Sequence, residues 1–365
     1  MRQAHRLLNL FDAGDADLSA RFRRVVSEAV GHHLASPTDA SGRPRTDSLS
    51  ILLRDVPLTT GNVKMLAAQL AQRQAAAVPE APAPARPRRI GLAGRVCRQI
   101  DIERPWMRHW FGVLGMAPSY HRKAWESAFV LQGLWEAGML APGRRGLGFA
   151  VGREPLPSIL VARGAEVLAT DLDAGDARAA AWAGTNQNAA RVEDLFRPRL
   201  VDHDDFLARC AFRAVDMNAV PADLAGGFDF VWSTCSFEHL GSIERGLDFV
   251  VAAMACLKPG GVAVHTTEFR LDGEGPRLDN WNTVLFGRQD MEALAARLAE
   301  RGHVMAPIDY GPGRGVLDGY VDVPPYGRQR MDGFVLPVAP HLRLSVDGIP
   351  ATSIGLVIRA GAGAG

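Results

Sequence analysis

The sequence has few cysteines and no apolar run long enough to cross a membrane. None of the four cysteines forms a Cys-x-x-Cys pair, and no Cys/His cluster has the spacing of a zinc site: they are Cys97, Cys210, Cys235 and Cys256. We therefore expect no metal site and no disulfide framework, as is usual in a reducing cytosol. No window reaches 18 uninterrupted apolar residues, which predicts that no helix spans a membrane.

The chain also lacks an excess of charge of either sign. Its 41 Lys and Arg residues oppose 40 Asp and Glu residues, so no overall field attracts nucleic acid or a membrane surface. The basic run RPRR, residues 86–89, is too short for a nucleic-acid footprint. The first 17 residues contain acids and no long apolar segment, which argues against a targeting peptide. We expect a cytoplasmic protein without a nucleic-acid partner, and the sequence does not indicate its oligomeric state.

Composition divides the chain into four segments. Residues 1–77 are predicted to form a helical N-terminal extension, and residues 78–104 a Pro/Ala-rich linker that contains VPEAPAPARPRR. The main domain is expected over 105–360, beginning with helices up to about residue 140. Residues 361–365, GAGAG, are expected to be a disordered tail.

From residue 144 onward, apolar strand patterns alternate with amphipathic helices. The strand candidates are RRGLGFAV, EVLATDL, FRAVDMN, FDFVWSTCS, VAVHTTEF, HVMAPIDY and TSIGLVIRA. The helix candidates between them include PLPSILVARGA, IERGLDFVVAAMACL and RQDMEALAARLAERG. Such alternation predicts an α/β fold with a Rossmann-like, mostly parallel seven-stranded sheet and helices on both faces.

A glycine-rich turn follows the first strand, in GLGFAVGREPL. Gly146, Gly148 and Gly152 remove side chains where a ligand would lie against the backbone, and glycine also permits positive φ. Asp171 ends the second strand, 23 residues after Gly148, where its carboxylate can accept hydrogen bonds from both hydroxyls of a ribose. The pattern favours an adenosine-containing cofactor, with a tight structural turn as the alternative.

Two cofactors fit this pattern. A nicotinamide dinucleotide calls for Gly-x-Gly-x-x-Gly, whereas this chain has Gly148-x-Ala150-x-Gly152, which disfavours an NAD(P)-dependent oxidoreductase. The order GFAVG, LVARGAEVLATD, FRAVDMNAVP, FDFVWSTCSFEHLG and LKPGGVAVHTTEF resembles class I S-adenosylmethionine-dependent methyltransferases over roughly residues 120–360. The terminal TSIGLVIR is similar to a subgroup found with glycosyltransferases in bacterial polysaccharide loci.

The resemblance implies S-adenosyl-L-methionine as cofactor and assigns a set of residues to it. Residues near the methionine and ribose would be Gly148, Ala150, Gly152, Asp171 and Ser233, and those near the adenine would be Leu172, Asp216 and Met217. Related enzymes usually carry an acid where this chain has Gly146, so we expect Glu154 to contact the cofactor's amino group instead. A helix around Tyr120, His121 and Trp125 would lie over the cofactor as a lid.

The expected reaction is an in-line transfer of the methyl group to an oxygen of a saccharide or another small polar acceptor. His239 and Glu238 follow the fourth strand, and His239 could remove the acceptor's proton or merely hold the loop. Glu268 ends the fifth strand and is the third catalytic candidate. Tyr320, Tyr326 and Arg328 either face the acceptor or decorate the surface.

Two further expectations concern partners and rivals. The subgroup resemblance makes a glycosyltransferase a candidate partner. A catalytically silent relative, which binds cofactor or a partner protein through its N-terminal region, is the second alternative to a methyltransferase.

Overall fold

The structure is a computed structural model that describes residues 38–46, 48–78, 82–179, 187–273, 275, 277–328, 330–331, 334–335 and 337–362. Most of the predicted N-terminal extension before residue 48 and the last three residues of the predicted tail lie outside this range. The chain divides into two compact units, Met1–Ala68 with Gly327–Val338 and Gln69–Tyr326 with Ala339–Gly365. None of the described helices is long and apolar enough to cross a membrane.

Among its described residues, the smaller unit includes the first part of a long helix and a short hairpin. Helix α1, Ser48–Ala77, begins in this unit and includes Pro57. Strands β9, Arg330–Met331, and β10, Phe334–Val335, pair antiparallel.

The larger unit is built on a ten-stranded sheet flanked by helices. The strands of this sheet are β1 Gly94–Val96, β2 Arg145–Phe149, β3 Glu166–Asp171, β4 Cys210–Ala214, β5 Phe228–Thr234, β6 Leu257–Arg270, β7 Val304–Met305, β8 Ile308–Asp309, β11 Arg343–Val346 and β12 Ile349–Arg359. The helices are α2 Gln99–Glu103, α3 Pro105–Leu114, α4 Arg122–Glu136, α5 Leu156–Ala162, α6 His203–Arg209, α7 Ile243–Ala255 and α8 Arg288–Glu300.

The sheet order is β4-β3-β2-β5-β6-β12-β1-β8, with β7 and β11 also paired to β12. Strands β4 through β6 of this order run parallel, and β12 runs antiparallel to β6 and β1. This confirms the predicted Rossmann-like α/β fold. The sheet has ten strands rather than seven, because the short strands β1 and β11 extend it and the predicted strand HVMAPIDY is divided into β7 and β8.

Strand β1 and helix α2 lie within residues 78–104, the segment predicted as a linker. Gly94 allows β1 to pack between two neighbours, since a Cβ atom there would lie 2.7 Å from Ile308 Cγ1 and 3.2 Å from the carbonyl oxygen of Gly355. Alternating Pro and Ala residues upstream gave no sign of a strand, because a three-residue strand is fixed by its partners rather than by its own composition.

Two apolar layers cover the two faces of the sheet. On one face, Trp125 and Phe129 of α4 stack with ring centroids 4.9 Å apart and belong to the same core as Phe230 and Trp232 of β5. On the other face, α7 and α8 enclose a second core that includes Phe237 and Phe249. Trp125 and Phe129 of α4 are thus buried core residues, as their four-residue spacing on a helix implies.

Between β3 and β4, the described residues form two short 3-10 turns, Ala177–Ala179 and Val192–Leu195, before α6. Residues 180–186 lie outside the described part of the chain.

Candidate functional site

The site lies where the strand order reverses. Strand β2 has β3 on one side and β5 on the other, so the crevice at their carboxyl ends is where ligands bind in open parallel sheets. In the turn that follows β2, two residues have positive φ: Ala150 at 46° and Gly152 at 51°. This turn brings backbone N–H groups to the crevice ahead of α5.

Asp171 holds that turn in place. Its Oδ2 accepts hydrogen bonds from the backbone N–H groups of Gly152, at 3.1 Å, and Ala189, at 3.0 Å. Its Oδ1 accepts one from Leu172 N at 2.8 Å. Burial raises the pKa of this carboxyl, although the three amides act in the opposite direction. Asp171 therefore joins the loop after β2, the end of β3 and the segment at 187–189.

Gly146 and Gly148 have a structural reason that the sequence did not reveal. A Cβ atom at Gly146 would lie 2.3 Å from the ring of Phe230, and one at Gly148 would lie 2.3 Å from the ring of Trp232. Both aromatic rings belong to β5, opposite these glycines in the sheet. The two glycines thus make room for core aromatic rings. Only Gly152 combines positive φ with a backbone bond to Asp171.

Glu154 lies over the carboxyl end of β5. Its Oε1 accepts a hydrogen bond from Trp232 Nε1 at 2.7 Å, and its Oε2 accepts one from Thr234 Oγ1 at 2.6 Å. Burial raises the pKa of this carboxyl to about 7, against smaller opposing effects from the two donors. Glu154, which we expect to contact the cofactor's amino group in place of an acid at position 146, thus lies at the mouth of the crevice in a poorly solvated position.

Ser233 lies in the layer beneath the site rather than facing it. Its hydroxyl is fully buried and lies 2.8 Å from His265 Nδ1, between strands β5 and β6. Burial lowers the pKa of His265 to about 3, so this ring is neutral. The next two residues point to other partners: Thr234 donates a hydrogen bond to Glu154, and Cys235 donates one to Glu126.

The residues assigned to the adenine follow β3 and β4. Leu172 is partly exposed, and its carbonyl oxygen accepts a hydrogen bond from Asn188 Nδ2 at 3.1 Å. Asp216 caps a 3-10 turn by accepting from Asn218 N at 2.9 Å, and its other oxygen lies 2.8 Å from Arg178 Nη2. Met217 is buried, which suits an apolar wall.

Glu238 and His239 lie on the 3-10 turn after β5. Glu238 is fully buried and its Oε2 accepts a hydrogen bond from Thr267 Oγ1 at 2.9 Å, while burial raises its pKa. His239 Nδ1 lies 2.9 Å from the carbonyl oxygen of Asn282 and 3.1 Å from Thr283 Oγ1. These contacts match the alternative in which His239 holds the loop.

Glu268 belongs to a buried ionic network that sequence reasoning missed. Arg122, the first residue of α4, pairs through Nη2 with Glu268 Oε1 and through Nη1 with Glu126 Oε1, the latter at 3.1 Å. Cys235 Sγ, 3.1 Å away, and Ser353 Oγ, 2.5 Å away, also donate to Glu126 Oε1. The local signal in the sequence is the i, i+4 spacing of Arg122 and Glu126, which places opposite charges on one face of the helix.

Among the residues that the structure describes, three buried carboxylate oxygens of this region lack a hydrogen-bond partner. Glu126 Oε2 still has an ion-pair partner in Lys123 Nζ, 3.2 Å away, and the other two are Glu238 Oε1 and Glu268 Oε2. A buried oxygen without a donor costs free energy, on the order of 1–3 kcal/mol. Such atoms at a crevice suit a ligand that brings hydrogen-bond donors. Within the described part of the chain, no group of three or more His, Cys, Asp or Glu residues is arranged to hold a metal ion.

A second polar cluster adjoins the start of α4. His341 Nδ1 lies 2.8 Å from Asp322 Oδ2, and Tyr320 donates its hydroxyl to Asp322 Oδ1 at 3.3 Å. The rings of His121 and Tyr326 lie 4.8 Å and 5.0 Å from that of His341. Of the three residues considered for acceptor binding, Tyr320 and Tyr326 join this cluster. Arg328, which belongs to the smaller unit, is exposed.

Solved methyltransferase structures match the chain with low sequence identity and low TM-scores. A protein assigned as a sarcosine dimethylglycine methyltransferase from Galdieria sulphuraria matches with a TM-score of 0.36 and 16% identity over 50% of this chain and 60% of that chain. Phosphoethanolamine N-methyltransferase 2 from Haemonchus contortus, in complex with S-adenosyl-L-methionine, gives 0.36 and 18% over 53% of this chain and 40% of that chain.

Magnesium protoporphyrin IX methyltransferase from Synechocystis PCC 6803, with bound S-adenosylhomocysteine, gives a TM-score of 0.37 and 12% identity over 69% of this chain and 93% of that chain. The chain thus spans 60% and 40% of the lengths of the first two structures. No protein-family profile and no curated protein matches the chain.

Proposed function

We propose that the protein is an S-adenosylmethionine-dependent methyltransferase. The observation that carries this proposal is Asp171 at the carboxyl end of β3, hydrogen-bonded to Gly152 at the point where the strand order reverses. A carboxylate in this position can accept hydrogen bonds from ribose hydroxyls. Among the described residues, Asp171 Oδ1 accepts a hydrogen bond from Leu172 N alone, which leaves it a lone pair.

The residues around the crevice fit this cofactor. Gly152 leaves no room for a side chain, since a Cβ atom there would lie 2.6 Å from the carbonyl oxygen of Gln187, and its bare backbone suits a closely approaching ligand. Glu154 accepts two hydrogen bonds from neutral groups, and an ammonium group of the methionine moiety would stabilise its ionised form. Leu172 and Met217 would contact the adenine, and Asp216 its amino group.

When bound, the cofactor supplies an electrophilic methyl group on a sulfonium. The chain's own residues bind and orient the two reactants and exclude water. Glu154 and Asp171 would fix the two ends of the cofactor, while the ionic network of Arg122 and Glu126 shapes the wall opposite the end of β5. Ser233 would contribute through its backbone, because its hydroxyl is occupied by His265.

For the acceptor, we propose a hydroxyl-bearing saccharide or a similar small polar molecule, methylated on oxygen. The support is the pair of buried oxygens, Glu238 Oε1 and Glu268 Oε2, which acceptor hydroxyls would satisfy within the described crevice. We further propose that the enzyme acts in the cytoplasm on polysaccharide precursors and that a glycosyltransferase is its partner. This part of the proposal rests on the sequence resemblance. The four cysteines are free and buried, in agreement with a reducing compartment.

The two alternatives are less well supported. A dinucleotide-binding sheet has the order 3-2-1-4-5-6, whereas here an antiparallel strand, β12, follows β6. The glycine spacing around Ala150 also departs from the dinucleotide pattern. A catalytically silent relative would share the crevice and differ only in the absence of methyl transfer, so activity measurements must separate it from the proposal.

The test compares Asp171→Ala with the matched control Asp173→Ala. Asp173 is an exposed acid two residues further along the chain, and its side chain accepts a hydrogen bond from the nearby N–H of Gly175. By calorimetry with S-adenosylhomocysteine, we expect at least about a tenfold loss of affinity for Asp171→Ala and wild-type affinity for Asp173→Ala. Circular dichroism checks that both variants are folded, and unchanged affinity in a folded Asp171→Ala protein would refute the site.

Activity is tested by incubating the wild-type protein with methyl-labelled S-adenosylmethionine and fractions of host metabolites and cell envelope. We expect label in a polar, hydroxyl-bearing product, to be identified by mass spectrometry. Cofactor binding without transfer to any fraction would favour the silent relative over the enzyme.

A further inference from the structure

The structure contains a histidine–carboxylate pair that the sequence analysis did not single out. Asp322 is 2% exposed and accepts from the ring of His341 and the hydroxyl of Tyr320. Its backbone is fixed as well, since Asp322 N donates to Arg343 O at 3.0 Å and Ser345 N donates to Asp322 O at 2.8 Å. The carboxylate is therefore held in one orientation, and a carboxylate at Nδ1 fixes the tautomer of a histidine.

The pair lies beside the buried ionic network of the candidate site. Arg122 N donates to the backbone oxygen of His341 at 2.9 Å, and the Arg122 side chain pairs with Glu268. His341 packs between the rings of His121 and Tyr326. All of these residues belong to the larger unit. The pair thus adjoins the same edge of the sheet as Glu268 and its unpartnered oxygen.

We propose that His341, oriented by Asp322, is the base that removes the proton from the methyl acceptor; this rests on the proposed function. The acceptor O–H proton passes to His341 Nε2 as the oxygen forms its bond to the methyl carbon. The carbon–sulfur bond of the cofactor breaks, and its electron pair stays on sulfur as a thioether. The imidazolium that forms is stabilised by the Asp322 carboxylate and later gives its proton to water.

His341 suits this role better than the other two histidines nearby. His239 Nδ1 faces the backbone oxygen of Asn282, and its Nε2 lies 4.0 Å from Glu238 Oε1, whereas His341 Nδ1 lies 2.8 Å from Asp322 Oδ2. His121 accepts a hydrogen bond from Lys123 N at 3.1 Å, and burial together with His341 and Arg122 lowers its pKa to about 4.

Charged groups of both signs lie near His341. Asp322 contacts its Nδ1 at 2.8 Å, and Arg122, whose side chain pairs with Glu268, donates through its backbone N–H to the carbonyl oxygen of His341. Tyr326 packs on its ring and donates to the carbonyl oxygen of Ser345 at 2.5 Å. The hydrogen bond between its Nδ1 and Asp322 distinguishes His341 from a histidine that only packs in the interior.

The first test needs no acceptor. Long-range ¹H–¹⁵N spectra of the full chain report which ring nitrogen of each histidine carries hydrogen, and His341→Ala identifies the signal. We expect the Nδ1–H tautomer for His341 near neutral pH and its loss in Asp322→Asn, whose amide presents a donor. An Nε2–H tautomer in the wild-type protein would overturn the proposal, because that atom could not then accept a proton.

The second test measures transfer from methyl-labelled S-adenosylmethionine to the fraction that the wild-type protein labels. We expect His341→Ala to lose about 10²- to 10⁴-fold in rate and Asp322→Asn at least about tenfold, with wild-type affinity for S-adenosylhomocysteine. Added imidazole should restore part of the rate to His341→Ala, which a merely structural role would not allow. The control is His203→Ala, whose side chain is 54% exposed.

The outcomes separate the two proposals. If His341→Ala transfers the methyl group at the wild-type rate, His341 is not the base, and the proposed methyltransferase activity stands. The same conclusion follows if His341→Ala loses activity, added imidazole does not restore it and Asp322→Asn keeps full activity. If His341→Ala fails to fold, Asp322→Asn and the wild-type tautomer decide. Absence of transfer by the wild-type protein overturns the proposed function, and the role of His341 falls with it.

Discussion

The guanidinium of Arg122 joins the first turn of α4 to Glu268 near the end of β6, through Nη2 and Oε1. The same guanidinium reaches Glu126, Cys235 and Ser353, so one side chain connects a helix to three strand ends. All of these groups are buried, and a buried charge is tolerated only when it is paired. The crevice wall therefore depends on Arg122.

Replacing Arg122 by Met should destabilise the protein by about 3–5 kcal/mol, because Glu268 would be left buried without its cation and Glu126 would keep only Lys123 as a charged partner. Urea unfolding measures this loss. Arg288→Met is the control, since its pair with Glu292 is solvent-exposed and should contribute much less to stability. Equal effects of the two substitutions would contradict the network's importance.

Replacing Gly148 by Ala should cost about 1–3 kcal/mol even without cofactor, because the new Cβ atom would overlap the ring of Trp232. Gly319→Ala is a matched control, as a Cβ atom there has no neighbour within 4 Å and should change stability by less than about 0.5 kcal/mol. Denaturant titrations of both variants provide the comparison. A neutral Gly148→Ala would show that packing does not explain this glycine.

Glu154→Gln should gain stability relative to wild type as the pH rises from about 5 to 8. The folded protein holds the Glu154 proton more tightly than the unfolded chain, since the pKa is raised to about 7, so wild-type stability falls through this window. Partial exposure limits the difference to about 1–2 kcal/mol. Thermal unfolding at several pH values tests it, and parallel profiles for the two proteins would rule it out.

His265→Gln should show the opposite trend. Because burial lowers the pKa of His265 to about 3, the unfolded chain takes up this proton first, and wild-type stability falls as the pH drops below about 6.5. The His265→Gln variant can still form a hydrogen bond with the Ser233 hydroxyl. Between pH 6.5 and 4.5, its free energy of unfolding should fall by on the order of 2 kcal/mol less than that of the wild type. A steeper acid loss in the variant than in the wild type would contradict this account.

Much of the fold could be predicted from the sequence, since β2, β3, β5, β6 and the helices between them have strong periodic patterns. Asp171 was identified because strand ends and their spacing are local properties. The reasons for Gly146 and Gly148 could not be seen, because Phe230 and Trp232 meet them only in the folded sheet.

The network of Arg122 and the pair of His341 and Asp322 were missed for the same reason. Glu126 and Ser353 are 227 positions apart in the chain, and no spacing rule relates such residues. Ser233 was placed at the site from its position at a strand end, yet strand pleating turns its hydroxyl to His265. Sequence patterns thus locate the edge of the sheet, whereas the side chains that face the crevice depend on tertiary packing.

Strand β12 has a consequence for how the protein is made. It is the last described strand along the chain, yet it lies inside the sheet and pairs with β6, β1, β7 and β11. During translation, the edges of β6 and β1 that pair with β12 remain unpaired until residues 349–359 emerge from the ribosome. A nascent chain stalled before that point would expose unpaired strands and lack Ser353, and is therefore a natural client for chaperones.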